Sequence, residues 1–294
     1  MAIEHRLHAR CGCGHVHAVE SSSLGGAAGR PFPFASSPRN YERSRPFAVD
    51  KLSLVLALDV AKKSVRGTAT LDVVRKDPNA EAIALDAIAF QIESVRVDGK
   101  SAPYEYDGNT LTVQVGKKGK SKTVSVSYEA TPRRGLYFLE PDEHYPNRPN
   151  QVWSQCQEED ARHFIPCHDK PHVKMRTELN VLVPKGWYAL SNGELVSRKD
   201  EKNGSRFHWK FDEPHPSYLM TLAAGEFSEL RDKAGSVPLS YLVPKGREAD
   251  AKRTFARTKE MIRHFGDVLG VPYPWSRYAQ IVVSDFIFGG MENT

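Results

Sequence analysis

Near the end of the chain, Phe288-Gly289-Gly290-Met291-Glu292-Asn293-Thr294 sets one carboxylate beside two glycines. Glycines let a second backbone approach closely, so Glu292 can receive a cation held next to that backbone. A peptide laid along a strand edge presents its free α-ammonium at one end. A fixed carboxylate there accepts free amino termini and rejects blocked ones, through a charge-assisted hydrogen bond worth on the order of 1.5–3 kcal/mol. The plainer alternative is a glycine turn at a strand edge.

A second polar cluster runs from Trp153-Ser154-Gln155-Cys156-Gln157 to Arg162, and on through Pro166-Cys167-His168-Asp169-Lys170-Pro171. It breaks the strand rhythm around it. A loop or helical turn carrying function and a solvated connection are both open readings. Cys156 and Cys167 have His163 and His168 nearby, which raises thiol hydrolysis. Adjacent Cys167 and His168 point apart in any regular element, and no orienting third group is evident. At the other end, Cys11, Cys13, His15 and His17 alternate. Thiolate and imidazole suit zinc or copper, but structural zinc pairs normally have at least two residues between cysteines, so no bound metal is expected there.

The elements that must position these groups follow from periodicity. Residues 1–46 are rich in Ser, Gly and Pro and are expected to be a largely disordered tail. Leu52, Leu54, Leu56, Leu58 and Val60 then alternate as a half-buried strand does. Residues 67–74 suit its partner, and 91–97 make another candidate strand. Tyr104–Tyr106 and Leu111–Val115 flank Asp107-Gly108, a hairpin signal. Val124, Val126 and Tyr128 alternate, as do Leu179, Val181 and Val183, and Phe207, Trp209 and Phe211 after Asn203-Gly204. Many short strands predict a mainly β, largely antiparallel domain over 47–240. After Pro244, Phe255, Ile262, Phe265 and Leu269 share one helical stripe, with Met261 and Val268 beside it. Gly270 and Pro272 stop that helix, and Ile281-Val282-Val283 reads as a strand. A helix and a strand are too little for an independent domain, so 241–294 reads as the opening of a second domain, cut off. An exposed edge there predicts poor solubility.

Composition narrows the classes. Of 294 residues, 40% are apolar and 26% charged, and the net charge of +5 is a mild, spread excess that argues against nucleic acid as a partner. Four cysteines in this length are no disulfide framework. No apolar run reaches the roughly 18 residues of a membrane span, and Met1–Glu20 has no apolar signal core. A cytoplasmic protein with no membrane partner is expected. Oligomeric state is not legible.

The order Gln155-Cys156-Gln157, Ala161-Arg162, Pro166-Cys167, Asp169-Lys170-Pro171 and Lys174, then Leu190-Ser191-Asn192-Gly193-Glu194, resembles the N-terminal β domain of the aminopeptidase N family, peptidase family M1. The soluble leukotriene-hydrolase-like branch is the most similar. Tyr218-Leu219 through Ala223-Ala224-Gly225, Val271-Pro272-Tyr273-Pro274-Trp275 and the terminal Gly-Gly-Met-Glu-Asn are further landmarks, and the resemblance runs over about 45–294. It implies a saddle- or sandwich-like antiparallel β domain, followed by the start of a thermolysin-like α/β domain.

The same resemblance implies substrate-binding roles for six residues. Glu292 holds the free amino group of a peptide, Gly289, Gly290 and Met291 lie along the substrate, and Gln157, with Gln155 beside it, helps hold the N-terminal residue. Phe288 stands where epoxide-hydrolysing relatives often carry Tyr, which puts epoxide chemistry in doubt. The family binds zinc through His-Glu-x-x-His on a helix, with the Glu activating water. None of the 11 histidines here begins that motif. The expectation is therefore an aminopeptidase portion with the amino-end anchor, no catalytic residues or bound zinc of its own, and no activity alone, the full-length enzyme using zinc on peptides with a free N-terminus. A non-catalytic peptide- or protein-binding module is the alternative.

Overall fold

Leucine at every second position makes the first long strand of the sheet. The computed structural model describes the backbone of residues 8–10 and 16–18, and residues 42–286 and 288–294. Two short strands, β1 (His8–Arg10) and β2 (Val16–Ala18), pair antiparallel. Most of the expected 1–46 tail, including Cys11, Cys13 and His15, lies outside the described residues, as does the side chain of His17.

From residue 44 onward the chain is one compact unit. Its strands, in order, are β3 (Phe47–Asp59), β4 (Ser64–Arg75), β5 (Ala82–Asp86), β6 (Phe90–Val97), β7 (Lys100–Ser101), β8 (Tyr104–Tyr106), β9 (Thr110–Gln114) and β10 (Ser121–Ala130). Then come β11 (Gly135–Leu139), β12 (Gln151–Gln155), β13 (Lys174–Val183), β14 (Tyr188–Ser191), β15 (Glu194–Glu201) and β16 (Gly204–Pro216). The last are β17 (Leu222–Gly225), β18 (Phe227–Ala234), β19 (Val237–Pro244) and β20 (Tyr278–Ile281), with helices α1 (Glu248–Thr254) and α2 (Thr258–Leu269) between β19 and β20. The fold is mainly β, as the alternation predicts.

An eight-stranded sheet runs β15-β16-β13-β3-β4-β10-β6-β7. One face is apolar: Leu52, Leu54 and Leu56 of β3, Leu71 and Val73 of β4, and Val124 and Val126 of β10 are all nearly inaccessible. Burial at about 25 cal/mol per Å2 of apolar surface is the main force holding such a face together. The ladder is antiparallel except where β13 runs parallel to β3. The 104–115 hairpin forms as β8 and β9. Its turn is closed by Asp107, whose Oδ1 accepts the Asn109 and Thr110 N–H groups at 2.8 and 2.7 Å.

Two smaller sheets matter for the site. One runs β11-β12-β17-β14, and the other runs β18-β19-β20, with β20 parallel to β19. Three expectations differ here. The second cluster is not all loop: Gln151–Gln155 is strand β12, paired at its edges with β11 and β17 and buried along its whole length because Val152 packs in the main core while Trp153, on the other face, packs with Ile281, Val283 and Phe286. With both sides covered, the strand shows no alternation. The helix after Pro244 is two helices, broken at residues 255–257, where Phe255 leaves the stripe to stack on Tyr241 at 5.1 Å. Gly270 ends α2 with a left-handed φ of 68°, as expected. The last strand sits earlier than Ile281-Val282-Val283, because residues 278–281 pair with β19.

Candidate functional site

Strand β12 organises the site through its period of two. Gln151, Trp153 and Gln155 all turn toward the segment that ends the chain. Gln151 Oε1 accepts the Ser284 N–H at 2.8 Å, and Trp153 Nε1 donates to the Ser284 carbonyl at 3.2 Å. Gln155 Nε2 donates to Met291 Sδ at 3.8 Å, across 136 residues of sequence. Tyr137 stacks on Trp153 at 4.6 Å, and Phe286 meets it edge-on at 5.3 Å. Ser154, on the opposite side of the strand, donates to the Met220 carbonyl and accepts the Leu222 N–H at 2.8 Å.

Asn192 fixes the other side. It is 4% exposed. Its Nδ2 donates to the Leu219 carbonyl at 2.8 Å and to the Thr294 carbonyl, and its Oδ1 accepts the Thr221 N–H at 2.7 Å. The adjacent Gly193 takes a left-handed φ of 76°, and a Cβ there would meet the Lys210 carbonyl oxygen at 2.1 Å. Only glycine allows that approach. Neither Asn192 nor Gln151 was legible as a site residue from the sequence. The Leu-Ser-Asn-Gly-Glu landmark and the i, i+2, i+4 spacing of Gln151, Trp153 and Gln155 were the signals available.

Between these two supports lies a cleft of ≈ 930 Å3, with walls that include Trp153, Trp275, Tyr278, Phe286 and Phe288. Gly289, Gly290, Met291 and Glu292 line it as well. Glu292 is exposed, and a Cβ added at Gly289 or Gly290 would meet nothing within 4 Å. The space over these two glycines is therefore open. Gln155 is 6% exposed, and its Oε1 is buried without a hydrogen-bond partner. Thr221 Oγ1, Asn293 Oδ1 and Thr294 Oγ1 are in the same condition. Gln157 is exposed in the turn after β12 and is not among the residues lining the cleft. Of the six sequence-proposed residues, five thus gather at the cleft or touch a residue that lines it.

Behind β12, the polar cluster is a buried ionic network. Asp169 is 0% exposed and accepts Ser217 Oγ at 2.6 Å, the Arg162 N–H at 3.0 Å and Arg162 Nε at 3.1 Å. Burial pushes its carboxyl above the usual range, against those hydrogen bonds. Arg162 also donates to Glu159 at 2.6 Å and lies 3.8 Å from Asp86. Its burial works against the charge, yet Asp86, Asp169 and Glu159 hold its pKa above the ordinary value. Lys170 closes the ring on Glu159 at 2.7 Å. Gly135 lets the loop approach: a Cβ there would meet the Asp160 carbonyl oxygen at 2.0 Å. Tyr128, from the eight-stranded sheet, donates to the Phe164 carbonyl at 2.6 Å. The loop is a structural brace for β12. Cys156 and Cys167 are buried free thiols, and burial raises both pKa values, so neither is poised as a thiolate nucleophile.

A zinc site needs three or four protein donors that converge on one point. Among the described residues, no group of three or more His, Cys, Asp or Glu is placed to hold a metal ion. The side chains here do not fit the ion. Among the described residues, no helix is long and apolar enough to cross a membrane.

Comparison with known proteins places the chain. A family model described as the peptidase M1 N-terminal domain matches residues 37–219. A probable aminopeptidase 2 of Sulfurisphaera tokodaii is 28% identical over 215 residues, covering 72% of this chain and 27% of that protein. The leukotriene A-4 hydrolase of Xenopus laevis is 26% identical over 273 residues, covering 88% of this chain and 44% of that protein. Native yeast LTA4 hydrolase superposes with a TM-score of 0.73 at 21% identity, over 84% of this chain and 39% of that one. An M1 zinc metallopeptidase from Deinococcus radiodurans gives 0.70 at 20% identity, over 83% and 58%. The chain thus spans 27% to 44% of these two curated relatives.

Proposed function

This chain belongs to the peptidase M1 family, and from that membership we propose that it supplies the amino-end anchor of a zinc aminopeptidase. In this reading, residues 47–240 are the N-terminal β domain and 241–294 open the catalytic domain. The observation that carries it is the meeting of Gln155 with Met291, beside an exposed Glu292, from segments 136 residues apart. A peptide's α-ammonium meets the Glu292 carboxylate. Its first residues lie over Gly289 and Gly290, where the space is open. The unpartnered Gln155 Oε1 accepts an N–H from the same end. A charge fixed at one place measures a fixed distance from the amino terminus, so one bond is presented for cleavage.

Metal and water activation belong to a His-Glu-x-x-His helix in this family, and no such motif occurs in these 294 residues. No step is assigned to zinc on the side chains here; the anchor is this chain's contribution. Phe288 lines the cleft without a hydroxyl, so epoxide hydrolysis is not assigned. The buried free thiols suit a reducing compartment, and the cytoplasm is the proposed location.

Turnover of an aminoacyl arylamide by the full gene product tests this. Hydrolysis is expected to be chelator-sensitive and confined to free amines. Glu292→Gln is expected to lower kcat/KM by about 10- to 100-fold, the equivalent of one charge-assisted hydrogen bond. Equal hydrolysis of N-acetylated substrate by the parent protein contradicts the reading.

A further inference from the structure

Positive charge that looks spread in the sequence is gathered by the fold at one end of the large sheet. The loop between β9 and β10 reads Gly116-Lys117-Lys118-Gly119-Lys120-Ser121-Lys122. Strands β4, β10, β6 and β7 are neighbours in that order. The loop therefore meets the end of β4, where the Arg75 N–H donates to the Lys120 carbonyl at 2.7 Å. It also meets the β6–β7 turn, where the Asp98 N–H donates to the Thr123 carbonyl at 2.9 Å. Lys76 follows the first contact and Lys100 the second. Three strand spacings make this end of the sheet about 15 Å wide, within about two screening lengths at physiological salt.

Two observations set this tip apart from a solvated lysine loop. Its backbone is held from beneath by Arg75, which is 9% exposed and donates to the Gly119 carbonyl at 3.1 Å and the Gly116 carbonyl at 2.7 Å. A guanidinium this buried normally faces a carboxylate. Arg75 instead bonds carbonyls and lies 4.9 Å from the centre of the Phe47 ring, and among the described residues it is in no ion pair. Its charge therefore adds to the field at the tip. The second observation is that local acids do not balance the lysines. Lys117 pairs with Glu81 at 3.2 Å and Lys122 with Asp98 at 2.7 Å. Asp77 accepts the Asn79 N–H at 2.9 Å. Lys76, Lys100, Lys118 and Lys120 are exposed and, among the described residues, in no ion pair. Like charges held this close repel one another, and an anionic partner relieves the repulsion.

We propose that the 116–122 loop, with Lys76 and Lys100 beside it, docks this protein on the headgroups of an anionic lipid surface. The side chains favour that partner over nucleic acid. Residues 116–121 are all exposed, a protruding tip rather than a groove that could track a strand. No aromatic side chain lies in the loop to stack a base. The one arginine at its base is occupied with main-chain carbonyls and is not free to grip a phosphate from two sides. What the tip offers is hydrated point charges on flexible stems. A lipid surface of diffuse negative potential asks only that such charges come near its plane. No membrane partner is expected from the sequence because no apolar run is long enough to span, and a contact of this kind needs none. The docking stands independently of the aminopeptidase reading.

Sedimentation of the 294-residue chain with vesicles tests this. Vesicles of phosphatidylcholine with about 30% phosphatidylserine are expected to bind it at low salt and release it in about 0.5 M salt, while pure phosphatidylcholine does not bind it. Lys118→Glu with Lys120→Glu is expected to weaken binding by about 30-fold or more, because each lysine near such a surface contributes roughly 5-fold. Lys185→Glu with Lys202→Glu makes the same change in net charge at exposed positions toward the opposite end of the sheet. That pair is expected to stay within about 2-fold. Circular dichroism checks that each variant is folded. Absence of binding to the anionic vesicles at low salt overturns the proposal. So does equal binding to neutral vesicles, or equal weakening by the two pairs of substitutions. Tighter binding of a DNA duplex than of the anionic vesicles, weakened by the first pair alone, overturns it in favour of nucleic acid.

Discussion

The eight-stranded sheet and the α2 segment use the same kinds of side chain to opposite ends. Leu52, Leu54 and Leu56 in β3 are at most 1% exposed, while Phe265 and Leu269 in α2 are 58% and 68% exposed. Both follow a strict period, two in the strand and 3.6 in the helix. The sheet finds its cover within the chain, in the loop braced by Asp169 and in the smaller sheets. The helix does not. Periodicity therefore says which face seeks an apolar neighbour, and not whether that neighbour is in the same unit.

The contrast can be broken by substitution. The largest effect is expected at the brace. Asp169→Ala removes the fully buried carboxylate that Arg162 and Ser217 both bond, leaving Arg162 only Glu159 and Asp86, and is expected to cost about 3–5 kcal/mol of unfolding free energy. Denaturant titration measures it, and a loss under about 1 kcal/mol would show that the network does not brace the loop.

Core and helix face separate next. Leu71→Ala, at a fully buried position, is expected to cost about 2–5 kcal/mol. Leu269→Ala is expected to stay within about 0.5 kcal/mol while reducing aggregation and dye binding. Comparable losses at both sites would mean that α2 is packed within this chain.

Acid gives a third handle of similar size. His215 is 2% exposed, receives the Thr177 hydroxyl on Nε2 at 2.8 Å and donates from Nδ1 to the Pro216 carbonyl at 3.1 Å. Burial lowers its pKa from 6.5 to about 4. The unfolded chain binds the proton first, so this contribution is complete above pH 6.5, is lost as pH falls toward 4, and is level below that. The loss is on the order of 3 kcal/mol. In His215→Gln that part of the pH dependence should disappear; an unchanged slope between pH 6.5 and 4 would assign the acid sensitivity elsewhere.

These particulars also mark what was legible in the sequence. Strands β3, β4, β10, β13 and β16 could be read because one face of each meets the core and alternation survives. Strand β12 could not, since Gln151 through Gln155 are buried on every side and two of them are glutamines. The break at Phe255 was hidden because its stacking on Tyr241 is a tertiary choice. At the site, the chemistry of Glu292 and the glycines could be read from residue type. The parts played by Gln151 and Asn192 could not, because each holds main-chain groups of segments remote in sequence. Gln157, given its role by the family resemblance with Gln155 as its neighbour, falls in an exposed turn because the strand ends at Gln155.

The central claim is that Glu292 binds the amino end of a peptide. The direct measurement is an NMR titration of this chain and of its Glu292→Gln variant with one short peptide in free and N-acetylated forms. The account predicts that the free form binds the parent about 10- to 100-fold more tightly than the acetylated form, with shifts at Gly289, Gly290 and Gln155, and that the substitution erases the difference. Equal affinity of the two forms for the parent chain would contradict it.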